Sequence, residues 1–101
     1  MTDHPAELQT LDDLRKFVER TICEVEQLEP GAFPCSERLL LRRGKPCGIY
    51  FCVHGPRAVK FSAIWEAERH RILFYDAVGE RYRDTQLVGS QKVELEAARA
   101  A

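Results

Sequence analysis

The chain has 101 residues, 45% of them hydrophobic and 31% charged, with a formal net charge of −1. That length supports one hydrophobic core rather than two, and the composition argues against wholesale disorder. No apolar run approaches the roughly 18 residues of a membrane span.

The N-terminus, Met1-Thr2-Asp3-His4-Pro5, lacks the basic start and apolar stretch of a secretory signal. A soluble protein of the cytoplasm is therefore expected. In that compartment Cys23, Cys35, Cys47 and Cys52 are expected as reduced thiols rather than a disulfide framework. Charge is unevenly spread. Residues 1–34 carry eight acids against three bases, and residues 37–60 carry six bases against the single acid Glu37. Such asymmetry suits a protein partner at least as well as a polyanion, and it also suits an internal contact between the two segments.

The first element is a helix over residues 11–28. Thr10 stands at the N-cap with Asp13 three residues on, close to a capping box, and Asp12 and Asp13 place negative charge in the first turn. Leu11, Leu14, Val18, Ile22, Val25 and Leu28 recur at spacings of three and four, with Glu19, Glu24 and Glu26 on the wet side. Pro30-Gly31 stops the run.

From Phe33 the period changes to two. Strands are expected over 38–43, 47–54, 58–66, 71–76 and 81–87, separated by turns at 43–46, Gly55-Pro56, 67–70 and Val78-Gly79. Connections this short join antiparallel neighbours, so the fold class is α+β. The N-terminal amphipathic helix packs on one face of a four- to five-stranded antiparallel meander. The domain covers residues 1–90, and residues 91–101 form a short helical or frayed tail.

Alternation also assigns faces. Ile49, Phe51 and Val53 point one way on the second strand, as do Val59, Phe61, Ala63 and Trp65 on the third, and these form the helix-covered core. The other face carries Tyr50, Cys52 and His54, then Lys60, Ser62 and Ile64, with Tyr75 and Leu73 or their neighbours from the fourth strand. One helix cannot cover both faces of such a sheet. Tyr50, Cys52, His54, Lys60, Ser62 and Tyr75 are accordingly the candidate ligand- or partner-binding residues.

No motif assigns a reaction. A Cys₃His zinc set can be written from Cys35, Cys47, Cys52 and His54, but Cys47-x₄-Cys52 runs along a strand, which splits the two sulfurs between faces, and no metal or other cofactor is expected. Cys52 and His54 lie about 7 Å apart along one strand face, within reach of a nucleophile–base pair, yet no nucleophile elbow, oxyanion loop or orienting third group accompanies them. A cysteine-dependent enzyme is thus the weakest reading. Phosphate-loop and dinucleotide glycine patterns are missing. Tyr50, Tyr75 and Lys60 could serve single-stranded nucleic acid by stacking and phosphate contact, although Lys45–Phe51 lacks the glycine–aromatic order of an RNA-recognition strand and the overall charge is slightly acidic.

The heptapeptide Tyr75-Asp76-Ala77-Val78-Gly79-Glu80-Arg81 resembles one unit of the tyrosine–aspartate repeats of large bacterial surface proteins. Those repeats come in arrays, and this chain has one copy. Locally the segment implies a strand ending in an Asp-x-x-Gly turn.

The reading that remains is a small non-enzymatic binding or protein-interaction domain, with a protein partner or self-association favoured. The consecutive leucines Leu39, Leu40 and Leu41 exceed what a one-sided strand needs and mark a candidate homodimer interface. Nucleic-acid binding is the alternative.

Overall fold

A computed structural model describes residues 10–87, and the 91–101 tail expected from the sequence lies outside the described residues. One helix, α1 (Leu11–Glu26), precedes five strands: β1 (Cys35–Arg42), β2 (Lys45–His54), β3 (Lys60–Glu66), β4 (Arg71–Tyr75) and β5 (Arg81–Gln86). The strands form one antiparallel sheet in the order β1-β2-β3-β4-β5, a linear meander.

Thr10 starts α1 as the sequence indicates, its Oγ1 accepting the Asp13 N–H at 3.0 Å. The helix ends earlier than Pro30-Gly31 would place it. Gln27 takes a left-handed conformation (φ 58°), and the Leu28 N–H reaches back to the Cys23 carbonyl at 2.8 Å. This closes the last turn in the manner of a Schellman cap without glycine. Leu28 still packs on the core, but as the first residue past the closure.

Leu14, Val18 and Ile22 lie fully buried along one face of α1. They meet Ile49, Phe51 and Val53 of β2, then Phe61, Ala63 and Trp65 of β3, with Ile72 and Phe74 of β4 continuing the layer. Trp65, 1% exposed, is the largest core side chain. Its indole N–H donates to His70 Nδ1 at 3.3 Å, which gives the one polar atom of that ring a partner. His70 sits in the β3–β4 turn with φ 49°, so the turn and the core are tied through this contact.

Two connections differ from expectation. β1 begins at Cys35, three residues ahead of the expected start at 38, because Cys35, Ser36 and Glu37 extend the pairing with β2 through Val53, Cys52 and Phe51. The β2–β3 connection is longer, with a single 3-10 turn at Pro56–Ala58, and Val59 packs on the core from the loop instead of from the strand. Arg57 and Ala58 both have positive φ there. The β1–β2 hairpin closes on Arg43 and Gly44, both with positive φ, the signature of a two-residue type I′ turn.

Candidate functional site

Register fixes which side chains share the face away from α1. Cys52 pairs with Ser62 and Ser62 with Tyr75; Tyr50 pairs with Ile64 and Ile64 with Leu73; His54 pairs with Lys60. Directly opposed residues of antiparallel strands point to the same side. Since Ile72 and Phe74 lie in the core, Leu73 and Tyr75 face outward, which resolves the fourth-strand alternative left open by the sequence. The six residues singled out for binding, Tyr50, Cys52, His54, Lys60, Ser62 and Tyr75, therefore stand together on one face. Arg38, opposite Tyr50, and Arg81, opposite Tyr75, extend it to either side. Among the described residues no helix lies on this face.

Its polar groups are organised. Tyr50 Oη and Ser62 Oγ are 2.9 Å apart, so the phenol leans along the sheet toward β3. Ser36 Oγ and His54 Nε2 are also 2.9 Å apart, so the imidazole is engaged by β1 and not by Cys52. Cys52 is buried and makes no side-chain hydrogen bond among the described residues. At the other end of the face Arg71 donates Nε to Glu66 and Nη1 to Asp84 (3.0 Å), a fork that holds both carboxylates across β3, β4 and β5. None of these three contacts was visible in the sequence, because each depends on cross-strand register.

A depression of about 370 Å³ adjoins the fork, formed in part by Leu40, Arg42, Cys47, Ile64 and Arg69. Cys47 sits there half-buried, on the β2 side of the irregularity between Leu40 and Leu41. The three leucines divide. Leu39 packs against the core, Leu40 is half-buried, and Leu41 is 53% exposed on the edge strand.

A second groove, about 360 Å³, runs between α1 and the start of β1 over Val18, Phe51 and Val53. Arg15 spans it with a two-pronged pair to Glu37, Nε–Oε1 2.6 Å and Nη2–Oε2 2.8 Å. Cys35 lies at its rim. Burial first, and then the nearby Glu19 carboxylate, push its thiol pKa up to about 11, so it is a poor nucleophile although its side chain reaches the surface. Burial likewise raises Cys23. No group of three or more His, Cys, Asp or Glu side chains among the described residues is placed to hold a metal ion.

The Tyr75–Arg81 segment forms the turn its sequence implies. Asp76 Oδ1 accepts the N–H groups of Val78 (3.1 Å) and Glu80 (2.9 Å), and Gly79 supplies φ 84°. No helix among the described residues is long and apolar enough to cross a membrane. Comparison of the chain with protein-family models, with curated proteins and with solved structures found no match to any of them.

Proposed function

We propose that this chain is a non-enzymatic binding domain and that it works through the sheet face opposite α1. One observation carries the reading: that face presents two half-buried tyrosines, Tyr50 and Tyr75, beside exposed cations at Arg38, Lys60 and Arg81, with no covering element among the described residues. Antiparallel sheets tolerate one wet face, but a purely solvated face does not need aromatic and aliphatic side chains such as Ile64 and Leu73 at its centre. The engagement of His54 by Ser36 and the burial of Cys52 favour binding over thiol chemistry.

A photo-cross-linking amino acid at position 64, on the face beside Tyr50, compared with one at position 24 on the exposed side of α1, tests this reading in cells expressing the chain. Saturable products are expected from position 64 alone, competed by unmodified domain and lost in Arg38→Glu. Equal products from both positions would remove the face from consideration.

Self-association is a second reading, favoured by Leu41 on the edge that β1 leaves unpaired among the described residues. An edge strand with an exposed leucine and unpaired backbone groups is a natural surface for a second copy.

A further inference from the structure

The charges on the uncovered face are not balanced within it. Its two carboxylates, Glu66 and Asp84, are both taken up by Arg71. Arg38, Lys60 and Arg81 have no ion-pair partner among the described residues. The face thus divides into a neutralised end around Arg71 and a cationic end around the two tyrosines. The acids of α1 do not cancel this, since α1 lies on the opposite side of the sheet.

The tyrosines are placed diagonally. Tyr50 on β2 and Tyr75 on β4 are separated by β3 and by one two-residue step, which amounts to about 12 Å between Cα atoms at the usual strand spacing and rise. Ser62, small and polar, lies between them and fixes the Tyr50 hydroxyl. With that hydroxyl occupied, what Tyr50 offers a ligand is its ring. An acidic peptide would use the three cations and leave the rings idle. A strand of nucleic acid uses both, phosphates on the cations and unpaired bases on the rings.

We propose that the cationic end of this face binds single-stranded nucleic acid, with Tyr50 and Tyr75 as stacking platforms and Arg38, Lys60 and Arg81 as phosphate contacts. The proposal rests on the reading of this face as the binding surface and names its ligand. Three phosphate contacts predict that log Kd changes with log salt by a slope of about 2 in magnitude, modest beside large basic domains. Duplexes should bind less tightly, because their base faces are hidden.

Fluorescence anisotropy with a labelled oligouridylate of about a dozen residues tests the proposal, alongside the matching duplex and a labelled polyglutamate. Binding of the single strand is expected, with Lys60→Glu weakening it about tenfold or more and flattening the salt slope. Tyr75→Ala should weaken it about tenfold and leave the slope unchanged, as loss of one stacked base requires. Tyr75→Leu, which keeps an apolar side chain at the site, should weaken it similarly while Trp65 emission reports an intact core. If polyglutamate binds through Arg38 and Lys60 and the oligonucleotide does not, the nucleic-acid proposal falls and the binding face survives. Binding of the oligonucleotide that ignores Tyr50 and Tyr75 would also overturn it, leaving only a basic patch. If no probe binds at low salt, the proposal fails outright, and the cross-linking comparison then decides the face.

Discussion

Tyr82 shows how one atom can set a pH response. It lies on β5 against Phe74, their ring centroids 6.2 Å apart, with its hydroxyl buried and without a hydrogen-bond partner among the described residues. Burial, and then the negative charge of Glu26, push its pKa up to about 12 from 10.0. Above pH 10 the unfolded chain releases this proton while the folded chain holds it. The unfolded state then binds fewer protons, so stability is lost as pH climbs from the unfolded value toward the folded one. Tyr82→Phe removes both the titration and the unpaired hydroxyl. At neutral pH the variant should be as stable as the parent or slightly more so, because no hydrogen bond is lost with the oxygen. Between pH 10 and 12 its melting temperature should rise progressively above that of the parent. Paired thermal melts across that range check this, and a difference that stays flat with pH would mean the hydroxyl is solvated.

The elements were largely legible in the sequence because their periods differ. A stripe at three and four from Leu11 to Ile22 and alternation from Ile49 to Trp65 are physically incompatible patterns, so helix, strands and core face could be separated. Boundaries were less legible. Gln27 closes α1 in a conformation usually left to glycine, and Cys35-Ser36-Glu37 join β1 by backbone pairing that their polar side chains do not announce. The six candidate binding residues could be placed on one face by counting in twos. Their partners could not, because the Ser36–His54 contact and the Arg71 fork follow from register between strands. Gly48 illustrates the same limit. Its φ is unremarkable, yet a Cβ there would stand 2.3 Å from the Trp65 carbonyl oxygen on β3. Only the approach of two backbones requires glycine at this position. Gly48→Ala must therefore push β2 from β3, at a cost of about 1–3 kcal/mol or more for an overpacked site. Ser36→Ala, on an exposed stretch of β1, should cost far less. Urea midpoints compare the two, and a Gly48→Ala midpoint close to that of the parent would contradict the close backbone approach.

At the scale of the whole molecule the linear meander leaves two edges among the described residues, β1 and β5, and they are not equally protected. Both carry charged residues, and in β1 Glu37 and Arg38 precede the three leucines and Arg42 ends the strand, with Arg43 following in the turn. Charges of this kind discourage indiscriminate edge pairing without forbidding a specific one. β1 is eight residues long, has no proline, and exposes Leu41, whereas β5 is six residues long and its flanking Leu87 is buried. If the chain pairs with itself, β1 is the edge that offers both unpaired backbone groups and an apolar contact around a two-fold axis. Such a dimer would leave the tyrosine face of each copy open on one continuous sheet, so self-association and ligand binding are compatible. Leu41→Lys then separates interface from core. Leu41 is already half-exposed, so the change should leave the melting temperature of a dilute sample nearly unmoved, within about 0.5 kcal/mol of stability. Leu14→Ala, in the core, should instead cost about 2–5 kcal/mol. Sedimentation velocity across a concentration series should show a dimer for the parent chain and a folded monomer for Leu41→Lys. A parent chain that remains monomeric into the high micromolar range would exclude pairing through β1 and leave the open sheet face as the one surface for partners argued from this fold.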